Sequence, residues 1–262
     1  MRLAVLVPMN TNSKTPEFLV VIPARLGSTR LPRKPLADLA GKPMVVRVAE
    51  RAKLSLAQSV VVATDSVEIQ AVCDEHRIEC LLTSPDHPTG TDRLAEVAQL
   101  LKLPADTLIV NVQGDEPLIP ADLINQVAQT LADNTQCAIS TVATPIHDLA
   151  EMNNPNAVKV VLNRNNEALY FSRASIPFVR DQDQKAPTTH LRHLGIYAYR
   201  ADFLEAYTRL EPAPPEQAEA LEQLRALWNG YRIVVYITPV APPAGVDTPE
   251  DLDRVRQILS KA

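Results

Sequence analysis

The sequence predicts an α/β fold built on a mostly parallel β-sheet. Three short runs of apolar, largely β-branched residues recur in the first half of the chain, over residues 18–23, 59–64 and 107–112. Helical patterns separate them, and buried strands that alternate with helices are typical of parallel sheets with right-handed crossovers. A chain of 262 residues is long enough to bury a substantial core in one such domain.

Each element has its own local signal. Apolar residues at helical spacing predict helices over 43–56, 67–75, 91–101 and 120–131. Beyond residue 137 the pattern becomes mixed, with strands predicted over 137–146, 157–162, 168–171, 193–199 and 231–237 and only two longer helices. One of these covers 216–228, and the other opens at Thr248 with a capping box completed by Asp251. We therefore expect a smaller mixed lobe on the same sheet, with a mobile polar loop over 180–189.

Composition excludes several classes of protein. A hydrophobic fraction of 46% with 22% charged residues excludes a disordered chain. The net charge of −5 provides no global basic field for nucleic acid, and no apolar run approaches the roughly 20 residues that cross a bilayer. Only seven glycines are present, and none forms a dinucleotide-binding or P-loop pattern. Three cysteines without a paired motif indicate a reducing cytoplasm, and residues 1–17 are expected to form a flexible leader.

A basic loop follows the first predicted strand. It carries Arg25, Arg30, Arg33 and Lys34 within ten residues. Ligands of open α/β sheets bind at the carboxyl edge of the strands, so these cations indicate a polyphosphate site. The alternative is a solvated basic loop without a ligand.

Two acidic turns are candidates for a Mg²⁺ site. Asp115 and Glu116 follow the third buried strand, and Asp247 precedes the cap of the final helix. One or two carboxylates together with substrate phosphates are enough to hold Mg²⁺. Local hydrogen bonding in a turn is the alternative for Asp115. For Asp247 the preceding Gly245 suggests that the backbone approaches a ligand closely.

For several other polar residues, a structural explanation is as good as a functional one. The turn from Thr89 to Arg93 suits either a helix cap or recognition of a polar ligand. Glu222 and Gln223 fall within a helical pattern in which exposed positions need no function. Tyr197 alternates with apolar neighbours in a strand and is expected to pack first.

Nine segments, taken in order, resemble the 3-deoxy-manno-octulosonate (Kdo) cytidylyltransferases, also called CMP-Kdo synthetases. They include VVIPARLGSTRLPRKPL from Val20, VATD from Val62, HPTGTDRLAE from His87, VNVQGDEPLIP from Val110, NPNAVKVVL from Asn154, ALYFSRASIP from Ala168, LRHLGIYAYR from Leu191, LEQLRALW from Leu221 and GVDTPEDL from Gly245. The resemblance covers nearly all of the chain from Phe18 onward. Arg33 stands where this family pattern has glycine.

The resemblance implies a Rossmann-like sheet of the nucleotide-diphospho-sugar transferase type and a cytoplasmic, Mg²⁺-dependent homodimer. Such an enzyme makes CMP-Kdo and pyrophosphate from CTP and Kdo for lipopolysaccharide biosynthesis. Residues 18–262 would form one domain, with a nucleotide-binding half over 18–136 and a sugar-binding and dimerisation half over 137–262.

The resemblance also implies roles for individual residues. The catalytic residues would be Lys34, Arg25, Asp115 and Asp247, of which Asp115 and Asp247 hold Mg²⁺. The nucleotide would contact Ala24, Arg25, Ser28, Lys34, Thr89, Gly90, Arg93 and Gln113. The sugar would contact Arg173, His193, Tyr197, Glu222 and Gln223.

Three alternatives remain open at this stage. A related cytidylyltransferase could act on 8-amino-Kdo or sialic acid. A glycosyltransferase of similar fold would release no pyrophosphate. A nucleotide-binding regulatory protein would use the basic loop without catalysis.

Overall fold

The structure, a computed structural model, describes residues 15–27, 30–180 and 190–261. The predicted leader therefore lies outside the described residues except for its last three positions. Ser28 and residues 181–189 of the predicted loop also lie outside them.

The described residues form eleven strands and nine α-helices. The strands are β1 (Phe18–Ala24), β2 (Asp38–Leu39), β3 (Lys42–Pro43), β4 (Ser59–Thr64), β5 (Glu79–Leu82), β6 (Leu108–Asn111), β7 (Ile139–Pro145), β8 (Lys159–Leu162), β9 (Ala168–Ser172), β10 (Leu191–Arg200) and β11 (Ile233–Ile237). The helices are α1 (Met44–Ala52), α2 (Val67–Glu75), α3 (Gly90–Leu100), α4 (Ala121–Asp133), α5 (Leu149–Asn153), α6 (Ala201–Tyr207), α7 (Pro214–Glu219), α8 (Gln223–Trp228) and α9 (Pro249–Leu259).

The central sheet is mostly parallel, as the sequence predicts. Its order is β11-β7-β10-β6-β1-β4-β5, with β8 and β9 continuing from β10. Strand β1 pairs in parallel with both β4 and β6, whereas β10 runs antiparallel to β6, β7 and β8. The short strands β2 and β3 form a separate antiparallel pair. The parallel strands β1, β4 and β6 bring their carboxyl ends to one edge of the sheet, where the first two predicted ligand loops begin.

Both faces of the sheet are buried, which explains the continuous apolar runs. Val20, Val21 and Ile22 in β1 have no exposed surface. One core contains residues of α1, α4 and α9, and the other contains residues of α3, α6 and α8. Residues in β1 alternate between the two cores, as expected for a strand buried on both sides. Within the described residues, no helix combines the length and apolar character needed to cross a bilayer.

The predicted helix over 216–228 is wrong. The chain forms two short helices there, because Ala220 adopts the left-handed conformation with φ of 51° and ends α7. Arg225 in α8 pairs with Glu216 in α7, and this ion pair holds the two helices together around the break. The edge strand β5 and helices α5 and α6 are too short to have been predicted from periodicity. The division of the domain into two halves stays a prediction.

Candidate active site

Lys34 joins the two acidic turns at the carboxyl edge of the sheet. Its ammonium donates to Asp115 Oδ2 at 2.7 Å and to Asp247 Oδ1 at 3.1 Å. Burial alone would lower the pKa of Lys34, but the hydrogen bonds and charges of the two aspartates outweigh it and raise the pKa. The three residues come from positions 34, 115 and 247 of the chain, and the fold makes them one cluster.

Close backbone packing fixes the distance between the acidic turns. The amide of Val246 donates to the carbonyl of Asp115 at 2.8 Å. A Cβ atom added to Gly245 would lie 2.9 Å from the same carbonyl oxygen, which is too close for a side chain. Gly245 thus permits a close approach, but to the Asp115 turn rather than to a ligand as the sequence suggested.

Gly114, which precedes Asp115, also permits a close backbone contact. A Cβ atom there would lie 2.8 Å from the carbonyl oxygen of Pro23 in β1. The acidic turn therefore packs directly against the strand that leads into the basic loop. Ala24 is the buried last residue of that strand, and Arg25 follows it as an exposed residue.

The basic loop contributes further positive charge beside the aspartates. Arg30 lies 3.1 Å from Asp247 Oδ1. Arg33 has φ of 57°, in the left-handed region that favours glycine, and its side chain pairs with Glu68 on α2. The glycine expected at this position from the family pattern matches the backbone conformation that Arg33 adopts. Lys34 itself begins a short 3₁₀-helix over Lys34–Leu36.

The cluster has the donor chemistry of a Mg²⁺ site. Asp115 and Asp247 converge on one cation, here the ammonium of Lys34, and both retain exposed surface. Among the described residues no cluster of three or more acidic, histidine or cysteine side chains is arranged for a metal ion. Two carboxylates still suffice for Mg²⁺, because this ion keeps water and substrate phosphates among its ligands.

The turn before α3 lies at the same edge. Thr89 caps the helix by accepting a hydrogen bond from the amide of Asp92, and Gly90 begins it. Arg93 is buried, with 4% of its surface exposed, and its guanidinium donates to Asp65 Oδ2 at 2.9 Å and also to Thr83. Arg93 therefore anchors this turn to the segment after β4.

A cavity of about 410 Å³ extends from Asp115 along one face of the sheet. Of the residues predicted to bind substrate, five line it: Gly90, Gln113, Tyr197, Glu222 and Gln223. The remaining wall includes three aromatic residues, Tyr199, Phe203 and Tyr207. The break between α7 and α8 contributes Ala220 and Leu221 as well. This break, here called the α7–α8 corner, was not predicted from the sequence and forms one side of the cavity.

Three polar atoms around this cavity have no hydrogen-bond partner within the described structure. They are Asn111 Oδ1, Tyr207 Oη and Gln223 Nε2. Buried polar atoms in folded proteins almost always have partners. Unpaired atoms around an open space indicate that a polar ligand completes them.

Glu222 connects this cavity to the first turn of α3. Its Oε2 accepts a hydrogen bond from the hydroxyl of Thr91 at 3.3 Å. The residue as a whole stays exposed, but partial burial of its carboxylate raises the pKa, and the like charge of Asp92 adds to this effect. Burial also raises the pKa of Tyr197 well above its usual value of 10.

Two predicted sugar-binding residues do not line this cavity. Arg173 donates to the carbonyl oxygens of Glu219, Pro155 and Ala220. Its guanidinium therefore stabilises the backbone of the α7–α8 corner. His193 bonds through Nε2 to Thr141 Oγ1 at 2.9 Å, and burial lowers its pKa to about 3. His193 is therefore neutral at physiological pH.

A second cavity of about 350 Å³ adjoins the first and contains His193 in its wall. Gln113 and Gly195 line both cavities. Glu116 lines the second one, and burial, followed by the charges of Asp115 and Asp247, raises its pKa to about 7.

Sequence reasoning missed three residues of this region. Asp65 pairs with Arg93, and Asn111 and Tyr207 line the first cavity. A polar residue at the end of an apolar strand was a usable signal for Asn111. No local signal distinguishes Tyr207 from a core aromatic residue.

Comparison with known proteins places the chain in a family. The profile of the family described as Cytidylyltransferase matches residues 19–233. A 3-deoxy-manno-octulosonate cytidylyltransferase of Polynucleobacter necessarius is 80% identical over 254 residues, which cover 97% of this chain and all of the relative. The protein of the same name from Polynucleobacter asymbioticus is 78% identical and covers 96% of this chain and 99% of the relative.

Solved structures agree with this placement. CMP:2-keto-3-deoxy-manno-octonic acid synthetase, solved in complex with CTP, superposes with a TM-score of 0.87 at 41% identity, covering 94% of this chain and 99% of that one. A cytidylyltransferase from Leptospira borgpetersenii, at 17% identity and a TM-score of 0.61, covers 94% and 88% and shares the fold. The α/β sheet, the cation-bridged aspartates and the sequence similarity together show that this chain belongs to the 3-deoxy-manno-octulosonate cytidylyltransferase family.

Proposed function

We propose that this protein transfers CMP from CTP to Kdo and releases pyrophosphate. The observation that carries the proposal is the convergence of Lys34 and Asp247 on Asp115, which lines a cavity with unpaired polar atoms. A cationic site for a triphosphate thus adjoins a pocket for a polyhydroxylated acceptor. Family membership and the CTP-bound structural neighbour support the same reaction.

The nucleotide lies on the β1 and α3 side of the cluster in this proposal. Arg25, Arg30 and Lys34 supply positive charge for the triphosphate. The amides at the start of α3 point toward the same edge and favour a polar or anionic ligand. Because Asp65 and Thr83 bind the guanidinium of Arg93, we assign Arg93 to holding this turn in place for the nucleotide.

Asp115 and Asp247 would hold Mg²⁺ in the working enzyme. Bound there, the ion would offset the negative charge that develops on the phosphates. Lys34 contacts both carboxylates, so its ammonium also lies where it can contact the phosphates of CTP. Lys34 then neutralises phosphate charge from a position fixed by the 3₁₀-helix.

The chemical step is an in-line substitution at the α-phosphorus of CTP. The anomeric hydroxyl oxygen of Kdo forms the new P–O bond and loses its proton to solvent, and the bond between the α-phosphorus and the pyrophosphate leaving group breaks. The protein contributes by positioning and by charge. Arg25 and Lys34 stabilise the leaving group, and the cavity walls hold the sugar with its anomeric end toward Asp115.

Pyrophosphate release with CTP, Mg²⁺ and Kdo tests this proposal. We expect turnover with CTP and Kdo, and much slower turnover when UTP replaces CTP or when sialic acid or 8-amino-Kdo replaces Kdo. Faster release with either other sugar would assign the protein a different acceptor. CTP binding without pyrophosphate release from any of these sugars would identify a nucleotide-binding regulatory protein instead.

We also propose that the protein is a homodimer. Leu169 and Tyr170 on β9 are 59% and 38% exposed, and Phe178 is 81% exposed. Large apolar side chains on one exposed segment are typical of a subunit interface. Light scattering after size-exclusion chromatography should give twice the chain mass, and Phe178→Ser should shift the protein toward the monomer. A wild-type protein that elutes with the mass of one chain would contradict the proposal.

We assign the protein to the cytoplasm. Cys73, Cys80 and Cys137 are all free in the structure, and unpaired cysteines persist in a reducing compartment. Cell fractionation should recover the protein with cytoplasmic markers, and recovery with periplasmic markers would overturn this assignment.

A further inference from the structure

We propose that Asn111 and Tyr207 recognise the hydroxylated tail of the acceptor sugar, and that the carboxylate of the sugar stays outside this cavity. The inference rests on the proposed function and specifies which end of the acceptor enters. It adds two residues that the family motifs do not mark as substrate ligands.

Both residues are almost completely buried, with unpaired polar atoms at the cavity. Asn111 is 3% exposed and Tyr207 is 2% exposed, and both line the space. Neither Asn111 Oδ1 nor the Tyr207 hydroxyl has a hydrogen-bond partner within the described residues. Leaving a buried polar atom unpaired costs about 1–3 kcal/mol, so a ligand that pairs with these atoms gains binding energy.

The unpaired atoms differ in what they can offer a ligand. Asn111 Oδ1, which has no partner among the described residues, can only accept a hydrogen bond. The Tyr207 hydroxyl can donate or accept, and Gln223 Nε2 can only donate. A set of neutral donors and acceptors is suited to sugar hydroxyl groups.

The charge of the cavity excludes a carboxylate. Among the described residues that line it there is no lysine or arginine, and the ionisable carboxyl groups are those of Asp115 and Glu222. An anion placed here would be desolvated without a cation to pair with it. The positive side chains of Arg25, Arg30 and Lys34 all belong to the loop at the mouth. The carboxylate of the acceptor therefore stays at the mouth with them.

The position of Asn111 in β6 fixes the orientation of the sugar. Asn111 is the last residue of the strand, and Asp115 follows it by four residues at the carboxyl edge. The anomeric carbon of Kdo is bonded to the carboxylate carbon, so both lie at the mouth. The hydroxyl groups on C7 and C8 are farthest from them and reach Asn111 and Tyr207.

Tyr207→Phe tests the assignment with three acceptors: Kdo, its 7-deoxy analogue and its 8-deoxy analogue. We expect kcat/KM for Kdo to fall about 5- to 20-fold, the value for a lost hydrogen bond, with KM for CTP unchanged. With the analogue that lacks the recognised hydroxyl, wild type and variant should have the same kcat/KM. The ratio of kcat/KM values for two sugars is measured on one protein preparation, so incomplete folding does not alter it.

Asn111→Ala provides a second variant, and Tyr231→Phe is the matched control. Tyr231 packs edge-on against Phe203 in the same aromatic cluster, with ring centroids 4.9 Å apart, but does not line the cavity. The control should keep the wild-type ratios of kcat/KM among the three sugars. Asn111→Ala should no longer distinguish Kdo from one of the two deoxy analogues.

Two outcomes would overturn the inference, and they are distinguishable. If wild type releases pyrophosphate with Kdo but Tyr207→Phe and Asn111→Ala lose activity equally with Kdo and both analogues, or lose none, the tail is not bound here. If wild type itself does not turn over Kdo, the proposed function fails and this assignment fails with it.

Discussion

At the scale of single residues, Asp115 and Asp247 differ in their surroundings although both contact Lys34. The Asp115 side chain is 30% exposed and that of Asp247 is 46% exposed. Asp247 also pairs with Arg30. Because more of its side chain is exposed and a second cation remains beside it, Asp247 is the better position for a mutational test.

Asp247→Asn should reduce turnover far more than CTP binding. The substitution removes one of two carboxylate ligands for Mg²⁺ but leaves Arg25 and Lys34 for the triphosphate. We expect kcat to fall about 10²- to 10³-fold, as when a preorganised charge interaction is removed, with a much smaller change in the Kd of CTP. Asp253→Asn, an exposed residue of α9, is the matched control and should retain wild-type kcat. Equal losses in kcat and in CTP affinity would contradict the assignment of Asp247.

Gly245→Ala should lower both the stability of the protein and its turnover. The new Cβ atom would lie 2.9 Å from Asp115 O and 3.0 Å from Glu116 Oε1, so the two acidic turns must separate. Overpacking of this kind costs about 1–3 kcal/mol, which corresponds to ~2–10 °C in Tm for a domain of this size. In Gly90→Ala the nearest atom to the new Cβ is 3.8 Å away, so its Tm should stay near wild type or rise. An unchanged Tm in Gly245→Ala would show that the turns can move apart freely.

The sequence predicted the convergence of Lys34 and Asp115 because both follow buried strands whose carboxyl ends share an edge. Asp247 was a candidate from its own turn beside Gly245, but no local pattern shows that a segment after β11, at the far side of the sheet, returns to this edge. Arg173 and His193 show the limit of such reasoning. Their segments are adjacent to the cavity, but hydrogen bonds with Ala220 and Thr141 turn the side chains away, and no local pattern records those partners.

At the scale of elements, the α7–α8 corner is the feature that periodicity could not reveal. The apolar spacing over 216–228 fits one helix, but Ala220 breaks it and brings Glu222 and Gln223 to the cavity. The break is held by tertiary contacts, mainly Glu216 with Arg225. Burial would raise the pKa of Glu216, but the hydrogen bonds from Arg225 and from the Ala213 amide outweigh it and lower the pKa. The ionised form of Glu216 therefore stabilises the corner.

Glu216→Gln should lower stability at neutral pH, and the deficit should shrink in acid. A group with a lowered folded-state pKa contributes stability above its unfolded pKa, and this contribution is lost as pH falls through the folded pKa. We expect a loss of about 1–3 kcal/mol at pH 7, because a nearly buried ion pair loses one partner. The Tm difference from wild type should then narrow as pH drops below 4.5, the unshifted pKa of this side chain.

The control for this experiment is Glu205→Gln, which removes an exposed pair with Arg209 on the surface. Exposed pairs contribute at most about 1 kcal/mol, so its Tm should follow wild type at every pH. A Tm difference for Glu216→Gln that stays constant from pH 7 to pH 4 would exclude the charge of Glu216 as the source of stability.

At the scale of the whole molecule, Lys34 links three distant parts of the chain. The basic loop after β1, the turn after β6 and the segment before α9 meet at this ammonium, at the Arg30–Asp247 ion pair and at the backbone contacts of Gly114 and Gly245. Nucleotide binding at this point should therefore stabilise the entire domain. A change that removes this cation leaves Arg30 to offset the charge of Asp247, but it takes from Asp115 the ammonium that it contacts.

Lys34→Met should lower the Tm of the free protein, and Mg²⁺ should restore part of it. Removing the cation from a partly buried cluster should cost about 1–3 kcal/mol, or ~2–10 °C. Because the freed carboxylates form a site for a hard divalent ion, Mg²⁺ should raise the Tm of Lys34→Met more than that of wild type, in which the ammonium competes. Lys42→Met, which removes a pair with Glu50 away from the site, should show no added response to Mg²⁺. Equal Mg²⁺ responses in wild type and Lys34→Met, measured by thermal unfolding without substrate, would show that Asp115 and Asp247 do not hold the metal.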